Sequence, residues 1–427
     1  LRFSDSDIEY LRSMNTFSNE FLNYLKTFKF TGDIYAIPEG TIVFPTEPLI
    51  RVTAPIMEAQ IVEAAVLNII NHQSLIATKA ARVVWAAGGD AVMEFGLRRA
   101  QGPDAGIYGA RAAVIGGCAG TSNVLTGKLF DVPVLGTHAH SWVMSFPSEL
   151  EAFRHYAQTF PEACTFLVDT YDTLRSGVPN AIKVMQEMKA SGIELKNYGI
   201  RLDSGDLAYL SKKARKMLDE AGFTDAKITA SSDLDENLIM SLKLQGAKIN
   251  NWGVGTKLIT SDDCPSFGGV YKLAAESDGN GAFIPKIKLS NNPSKVTNPG
   301  IKKIIRFYDK STGKIKADLI CLEEEHYSQD ERIKLFDHMA KWKKMILKPG
   351  EYTIRELLVP VFINGECVYK SPSVKDIRSY CQKELETLWD EHRRLANPHI
   401  VPVDLSDKLY KIKSELLEKM GREALEY

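Results

Sequence analysis

The chain has 427 residues, and its 53 Lys and Arg residues balance 54 Asp and Glu residues, so that the formal net charge is −1 at pH 7. This balance excludes an overall basic chain of the kind that binds nucleic acid by neutralising phosphates. The charged fraction of 25% and the hydrophobic fraction of 44% are typical of a globular protein. The length predicts two to three domains, or one large α/β domain with additions.

The six cysteines are scattered along the chain and form no C-x-x-C pair. In a chain of this length the spacing predicts free thiols in a reducing compartment, and we therefore expect a cytoplasmic protein. No apolar stretch is long enough to predict a membrane span, and the residues after Leu1 lack the apolar core of a signal peptide. We expect neither a membrane nor a nucleic acid among its partners.

Residues 1–88 are predicted to form an N-terminal α+β segment. Residues 32–55 combine β-branched residues with Gly, Pro and Glu, which is typical of short strands and turns. Residues 56–87 are rich in Ala, Leu, Glu and Gln and predict a helix that ends at Gly88 and Gly89.

Residues 89–300 repeat one pattern, in which a short apolar run ends in polar residues and a helical segment follows. This pattern predicts βα units with a parallel sheet that is buried on both faces. An α/β barrel, with its chemistry at the carboxyl ends of the strands, and a doubly wound open sheet both fit the spacing. The runs with their polar ends lie at 91–99, 132–141, 164–172, 198–206, 227–235 and 249–257.

Residues 301–427 form a more polar, Lys-rich C-terminal segment. Its first part, residues 301–328, predicts a β-meander. Residues 374–396 and 405–420 have the apolar spacing of amphipathic helices.

Two segments after the early strands offer ligand-binding groups. Arg98 and Arg99 follow a predicted strand, where a guanidinium can pair with a carboxylate or phosphate, and Phe95 can stack on a flat ring; the alternative is a surface Arg pair with a core Phe. Residues 116–123 form a small-residue loop in which Thr121 and Ser122 can hold an anion. The alternative is a plain turn whose Thr or Ser caps the next helix.

The segment His138-Ala139-His140 follows another predicted strand. A His at such a place can be a base, a nucleophile or a metal ligand, and alternation in an extended segment predicts that both rings point to the same side. A dinuclear zinc site, as in metal-dependent hydrolases, needs further His ligands on later strands, and the sequence has none there. A structural His remains the alternative.

Acidic residues follow two more strands. Asp169 and Asp172 form one group, and Arg201, Asp203 and Asp206 form the other. Such carboxylates can bind ribose hydroxyls or carry Mg²⁺ through water, although one acid of each group can instead cap the following helix.

The last strands are followed by residues that can cradle a phosphate through backbone N–H groups. Walker A and G-x-G-x-x-G motifs are absent, which argues against a P-loop kinase and a Rossmann dehydrogenase. The composition of the site predicts a phosphorylated sugar bound together with a flat anion. The candidates are Ser232, Gly253, Gly255, Thr256, Gly268 and Gly269.

Taken together, these segments resemble the nicotinate phosphoribosyltransferase family over nearly the whole chain. The resemblance implies an irregular TIM-like α/β barrel and a second α+β domain built from the N- and C-terminal segments. It also implies an enzyme that joins nicotinate to 5-phosphoribosyl-1-pyrophosphate, with Mg²⁺ as cofactor and ATP as cosubstrate. The matching segments are EFGLRRAQGPDAG (94–106), GTSNVL (120–125), GTHAHSWVMSF (136–146), LVDTYDT (167–173), RLDSGDL (201–207), GVGTKL (253–258), GGVYKL (268–273), ELLVPVFINGE (356–366) and RRLANPHIVPVDLS (393–406).

The resemblance also implies roles for individual residues. Phe95 stacks on the pyridine ring, Arg98 lies near the substrates, and His140 is the residue that ATP phosphorylates. Ser122 stands where enzymes that use nicotinamide carry an acid, so a nicotinamide phosphoribosyltransferase is the less favoured alternative. Arg201 and Asp203 hold ribose and diphosphate, and Asp169 lies near Mg²⁺. Five candidates of the last strands contribute to the site of the sugar phosphate, namely Gly253, Gly255, Thr256, Gly268 and Gly269.

Relatives are expected to carry a further segment ahead of Leu1, whose Tyr completes an aromatic clamp with Phe95 in a partner subunit. We therefore expect a homodimer with shared active sites. A non-catalytic nucleotide sensor is the alternative from another class of protein, and the presence of His140 together with Arg201 and Asp203 argues against it.

Overall fold

A computed structural model describes residues 1–290, 296–338 and 340–423. Its helices, in chain order, are α1 Asp5–Ser13, α2 Asn19–Lys26, α3 Ile56–Ile61, α4 Glu63–Ala87, α5 Pro103–Ile115, α6 Val124–Phe130, α7 His140–Met144, α8 Glu149–Thr159, α9 Val178–Ala190, α10 Leu207–Glu220, α11 Glu236–Leu244, α12 Thr256–Ile259, α13 Val374–Glu386 and α14 Asp407–Glu423.

The strands fall between these helices. In chain order they are β1 Asp33–Ala36, β2 Ile50–Thr53, β3 Ala91–Glu94, β4 Gly120–Thr121, β5 Ala163–Leu167, β6 Asn197–Leu202, β7 Lys227–Ala230, β8 Asn251–Val254, β9 Ala275–Ser277, β10 Phe283–Pro285, β11 Lys302–Asp309, β12 Ile315–Leu322, β13 Ile333–Phe336, β14 Lys344–Leu347, β15 Tyr352–Glu356, β16 Val359–Ile363, β17 Glu366–Cys367 and β18 Val403–Leu405.

The chain folds into two compact units. The terminal unit comprises Leu1–Ile69, Gly269–Ser371 and Lys383–Tyr427, and the sheet unit comprises Ile70–Gly268 and Pro372–Gln382. The domains predicted from sequence pattern, 1–88, 89–300 and 301–427, divide the chain at other places and stay a prediction.

The sheet unit contains a six-stranded parallel sheet in the order β4-β3-β8-β7-β6-β5. Its first long strand, β3, pairs with its last, β8, with Met93 opposite Gly253. This is the cyclic order of a barrel and not that of a doubly wound sheet, in which early and late strands lie apart. The helices α8 to α11 alternate with strands β5 to β8, as the βα pattern predicts.

The prediction of a strand within residues 132–141 is wrong, because this segment does not form a strand of the sheet. Only Val134 pairs, through one parallel bridge to Thr121. Pro133 has no N–H to contribute to a ladder, and His140 already begins a helix. Within the described residues the ladder is therefore interrupted between β4 and β5, and the sheet is a curled, open barrel.

The terminal unit is built mainly from antiparallel strands. One sheet has the order β17-β16-β1-β2, and another has the order β15-β11-β12-β18. The predicted β-meander begins with β11 and β12, where Ile304 lies opposite Ile320. Between these strands, Arg306 pairs with Asp318 over 2.7 Å, and both side chains are fully buried.

Three predicted helices occur with altered bounds, and the one predicted over 405–420 is α14, Asp407–Glu423. The helix predicted over 56–87 is divided at Val62 into α3 and α4, and Gly88 and Gly89 follow it with φ of 58° and 95°. The helix predicted over 374–396 ends at Glu386, and the Thr387 hydroxyl donates to Glu384 O over 2.6 Å.

All six cysteines are free. Among the described residues, no helix combines the length and the apolar character that crossing a membrane requires.

Candidate active site

The candidate site lies at the carboxyl edge of the parallel sheet. Phe95 directly follows β3, Asp169 follows β5 by one residue, Asp203 follows β6, and Ser231 follows β7. Because parallel strands end on the same side, the polar residues that follow them meet at one edge.

Arg201 joins three segments of this edge. Its Nη1 donates to Thr137 Oγ1 over 2.8 Å, and its Nε donates to Ser231 Oγ over 2.8 Å. Its Nη2 donates to Asp203 Oδ1 over 2.9 Å. These three bonds fix the orientation of the guanidinium. The Arg201 side chain is largely buried, with 17% exposed.

Asp203 accepts further hydrogen bonds. The hydroxyl of Ser231 donates to the same Oδ1 that Arg201 contacts. Burial alone would raise the pKa of Asp203, but the bonds from Ser231 and Arg201, together with the nearby His140, lower it below its ordinary value. Asp203 is therefore an ionised acceptor at neutral pH.

Asp169 presents one free oxygen to the site. Its Oδ2 accepts from Asp203 N–H over 3.0 Å and from Ser204 Oγ–H over 2.6 Å. Its Oδ1 is buried and has no hydrogen-bond partner. An unpartnered buried carboxylate oxygen is costly, so this atom is suited to a cation or a donor that binds there.

His140 begins α7 and faces both carboxylates. Its Nδ1 lies 3.0 Å from Thr170 Oγ1, and its Nε2 lies 3.9 Å from Asp169 Oδ1 and 3.7 Å from Asp203 Oδ2. The His140 side chain is 39% exposed, and its Nδ1 is held by the threonine while Nε2 lies between the two carboxylates.

Phe95 and Gly253 form a close contact between β3 and β8. A Cβ at Gly253 would lie 2.7 Å from Phe95 Cδ2, so only glycine leaves the ring its place. The guanidinium carbon of Arg201 lies 5.6 Å from the ring centroid. The ring therefore adjoins the Arg201 cluster, and Phe95 is partly exposed.

Glu94, the last residue of β3, holds Ser122 close to the start of the segment that contains Phe95. Glu94 was not among the residues singled out from the sequence. Ser122 N–H donates to Glu94 O over 3.0 Å. The buried Glu94 carboxylate accepts from Thr121 Oγ1 over 2.6 Å and from Gly96 N–H. Burial raises the pKa of Glu94, and the two donors oppose that rise.

The remaining predicted residues lie apart from this cluster or contribute through their neighbours. Arg98 is exposed in a short 3₁₀ helix, Leu97–Arg99. Ser232 is exposed at φ 97°, and its neighbour Ser231 makes the contacts instead. Gly255 precedes Thr256, which begins α12.

Gly268 and Gly269, the last two predicted residues, belong to different units of the chain. No atom lies within 4 Å of the Cβ that Gly268 lacks, so that this glycine borders open space. Gly269 belongs to the terminal unit.

Local capping accounts for three polar residues near the site. Asp172 accepts from the N–H groups of Leu174 and Arg175 at the start of a π-helix, Thr173–Gly177, and Asp206 caps α10 through Tyr209 N–H. The cap of α6 is Asn123, not the Thr or Ser that precedes it. Each acidic group therefore supplies one structural acid and one site acid.

The prediction that both His rings point to one side is wrong. His138 is buried with 8% exposure, and its Nε2 accepts from Leu167 N–H over 3.2 Å, whereas His140 faces the carboxylates. The alternation fails because the segment turns into α7 at His140. No group of three or more His, Cys, Asp or Glu in the described parts of the chain is arranged to hold a metal.

Several hydroxyl groups were missed. Thr137, Thr170 and Ser204 each contact one of the predicted residues, and all lie within three residues of one along the chain. Their signal in the sequence is this proximity alone, since Ser and Thr are common in any loop.

A curled parallel sheet that gathers an arginine, two carboxylates, an accessible histidine and an aromatic ring at its carboxyl edge defines an α/β enzyme. Three family models match the chain: the nicotinate phosphoribosyltransferase N-terminal domain over residues 1–71, the nicotinate phosphoribosyltransferase family over 91–266, and the C-terminal domain over 301–413. The chain belongs to the nicotinate phosphoribosyltransferase family and is an enzyme.

Individual relatives are similar over most of their length. A nicotinate phosphoribosyltransferase from Bacillus subtilis is 48% identical over 431 residues, which cover 99% of this chain and 86% of that protein. One from Caenorhabditis elegans is 36% identical, covering 96% and 82%. The crystal structure of human nicotinic acid phosphoribosyltransferase matches with a TM-score of 0.83 at 30% identity, covering 97% of this chain and 89% of that one.

Proposed function

We propose that this enzyme joins nicotinate to 5-phosphoribosyl-1-pyrophosphate, releases pyrophosphate, and couples this reaction to ATP hydrolysis through a phosphohistidine at His140. The product, nicotinate mononucleotide, makes this the first step of NAD synthesis from nicotinate. The observation that carries the proposal is the cluster of Arg201, Asp203, Asp169 and His140 beside the Phe95 ring.

The Phe95 face and the Ser122 loop provide the nicotinate site. The pyridine ring stacks on Phe95, next to the positive charge of Arg201. Ser122 has no charge that repels the nicotinate carboxylate, whereas an acid there would favour the amide. Arg98, in the exposed turn after Phe95, supplies a further positive charge to the anionic substrates.

The glycosyl transfer needs no protein nucleophile. The pyridine nitrogen forms a bond to the anomeric carbon of the ribose, and the bond from that carbon to the pyrophosphate oxygen breaks with its electron pair. Negative charge develops on pyrophosphate, and the fixed guanidinium of Arg201 offsets it. Asp203 accepts from the ribose hydroxyls, and positioning supplies much of the acceleration.

The acids fit a Mg²⁺ ion. Asp169 Oδ1, buried without a partner, and the nearby Asp203 carboxylate would hold it directly or through water, with substrate phosphates as its other ligands. When bound, Mg²⁺ supplies charge neutralisation for the diphosphate.

His140 acts in a separate step. Its neutral Nε2 forms a bond to the γ-phosphorus of ATP, and the bond from that phosphorus to the bridging oxygen breaks, so that ADP leaves; water later cleaves the N–P bond and releases phosphate. Thr170 holds Nδ1 and fixes the ring, and Nε2 of this partly exposed side chain meets the nucleotide. The added charge then recruits positive groups and backbone donors.

The 5′-phosphate of the ribose binds to backbone and hydroxyl groups after the last strands. Gly253 and Gly255 flank the end of β8, and Thr256 begins the following helix. Ser232, Gly268 and Gly269 are the further candidates for this site.

The active form is a cytoplasmic homodimer in this proposal. Helix α6 exposes Val124, Leu125 and Leu129, of which 69%, 49% and 56% remain accessible. Apolar side chains of this size, exposed together on one short helix, are typical of a surface that a partner subunit covers. The free cysteines fit a reducing compartment.

The proposal is tested by incubating the protein with ATP, nicotinate, 5-phosphoribosyl-1-pyrophosphate and Mg²⁺. We expect nicotinate mononucleotide and pyrophosphate, with ADP and phosphate formed alongside. Turnover of nicotinamide in place of nicotinate would establish the amide-using alternative, and substrate binding without turnover would establish the nucleotide sensor. ATP alone should leave an acid-labile phosphate that His140→Ala lacks; equal coupling in that variant contradicts the phosphohistidine.

A further inference from the structure

Residues 133–138 contact both edge strands of the open sheet, β4 and β5. On β4, Thr121 N–H donates to Pro133 O over 3.0 Å, and Thr121 O accepts from Leu135 N–H over 2.9 Å. Beyond Leu135, residues 136–139 form no strand. A single backbone bridge therefore connects this segment to β4, and no backbone bridge connects it to β5 among the described residues.

The outer edge of β5 leaves a buried donor. Val168 N–H donates to Arg201 O of β6 over 3.2 Å, and since alternate N–H groups of a strand point to opposite sides, Leu167 N–H points away from β6. His138 Nε2 accepts this N–H over 3.2 Å. The imidazole thus replaces the carbonyl that an adjoining strand would supply, and it bridges the gap in the sheet.

His138 also lies between two contacts of the active site. Thr137, directly before it, accepts from Arg201 Nη1 over 2.8 Å, and His140, two residues later, contacts Thr170 over 3.0 Å. We infer that His138 is a positioning residue, which holds residues 137–140 at the end of β5 by accepting Leu167 N–H and thereby orients Arg201 and His140. Its effect on catalysis rests on the proposed function.

The surroundings of His138 favour the accepting form of the ring. Its centroid lies 4.6 Å from that of Tyr156, edge to face, and 5.9 Å from that of Phe153. Burial, with the charges of Arg201 and His140 nearby, lowers the pKa of His138 to about 4. The ring is neutral at physiological pH. It accepts at Nε2 when Nδ1, which is buried and has no hydrogen-bond partner, carries the proton.

The test compares variants that keep or remove an acceptor at the Nε2 position. In His138→Gln the amide oxygen can take the place of Nε2, whereas His138→Phe keeps an aromatic ring without an acceptor. His155→Phe, at an exposed position of α8, is the matched control. Hydrogen exchange of the Leu167 amide in the intact protein reports the bond, and kcat and KM for nicotinate report its consequence.

For His138→Phe we expect Leu167 to exchange at least about tenfold faster than in the wild type, and for His138→Gln within about threefold. We expect kcat to fall by about tenfold or more in the Phe variant, with KM for nicotinate within about threefold, and to recover in the Gln variant. A folded Phe variant with wild-type exchange or wild-type kcat overturns the role. A folded Gln variant that loses both overturns it as well.

If the Phe variant does not fold, His138→Asn replaces it, because its oxygen is one bond too short to reach Leu167. Protection in the Gln variant and its loss in the Asn variant support the bridge, and equal exchange in both overturns it. The exchange measurement needs no substrate. It therefore decides the His138 bridge even if the wild type makes no nicotinate mononucleotide, which would overturn the proposed function instead.

Discussion

The backbone N–H of Asp203 donates a hydrogen bond to Oδ2 of Asp169 over 3.0 Å, and this bond ties together the ends of two neighbouring parallel strands. It turns the other oxygen of Asp169 toward His140, where it has no partner of its own. This main-chain contact fixes the free oxygen of Asp169 relative to β6, while Arg201 and Ser231 hold the Asp203 carboxylate and Thr170 holds the His140 ring.

Asp169→Asn should lower kcat/KM by about 100-fold and raise the Mg²⁺ concentration that the reaction needs. The Asn amide has two orientations. In one its NH₂ group replaces the free oxygen, and in the other the NH₂ group faces the Asp203 N–H and the Ser204 hydroxyl, which both donate to Oδ2 in the wild type. Initial rates across a Mg²⁺ titration measure the effect. Asp172→Asn is the control, since Asn caps a helix start as well as Asp does. An unchanged Mg²⁺ dependence in Asp169→Asn would contradict the role.

Gly253→Ala should raise KM for nicotinate by about tenfold, because the new methyl group would lie 2.7 Å from Phe95 and displace the stacking ring. Steady-state kinetics with nicotinate as the varied substrate measure the change. In the control Gly421→Ala, the new methyl group meets no atom within 4 Å. Equal KM values for the two variants would show that Phe95 does not stack on the substrate.

Thr170→Val should slow phosphorylation of His140 by ATP about tenfold, since Nδ1 loses the partner that orients the ring. Rapid-quench measurement of acid-labile phosphate gives the rate. Thr159→Val removes a hydroxyl that only contacts its own helix, at His155 O, and serves as the control. The prediction fails if both variants are phosphorylated at the wild-type rate.

Ser122→Asp should shift preference from nicotinate toward nicotinamide by about tenfold or more in the ratio of kcat/KM values. A carboxylate there repels the nicotinate carboxylate and accepts from the amide NH₂. Competition between the two substrates measures the ratio, and Ser122→Asn, which has the same shape without the charge, is the control. If Asp and Asn change the ratio alike, charge at position 122 does not select the substrate.

His138 should make the fold sensitive to acid. Its pKa is about 4 in the folded chain against an ordinary 6.5, so the unfolded chain binds the proton more readily. The stabilisation is present above pH 6.5 and is lost as the pH falls toward 4. Urea unfolding at several pH values should show a steeper loss of unfolding free energy for the wild type than for His138→Phe. Parallel pH dependences would contradict this.

The sequence pattern predicted the architecture well where the residues of a single element are enough to identify it. Apolar runs predicted the parallel strands β5 to β8, and the Gly88-Gly89 pair predicted the end of α4. It failed at 132–141, where the apolar pattern VPVL resembles a strand but Pro133 and the turn into α7 leave a single bridge. A short apolar run therefore does not by itself determine strand pairing, and here only Val132 of the run is buried.

The sequence by itself determined the βα order and the presence of charged and aromatic residues after successive strands, because these depend on residue type and spacing along the chain. Its motifs also carried the resemblance to the family. Only the tertiary structure decided which of these side chains meet. Asp172 and Asp206 cap their own helices, whereas Asp169 and Asp203 face across strands, and His138 bridges the sheet while His140 faces the site. The physical reason is that these contacts depend on the register and curl of the sheet, which bring together residues that are about 30 apart in the sequence.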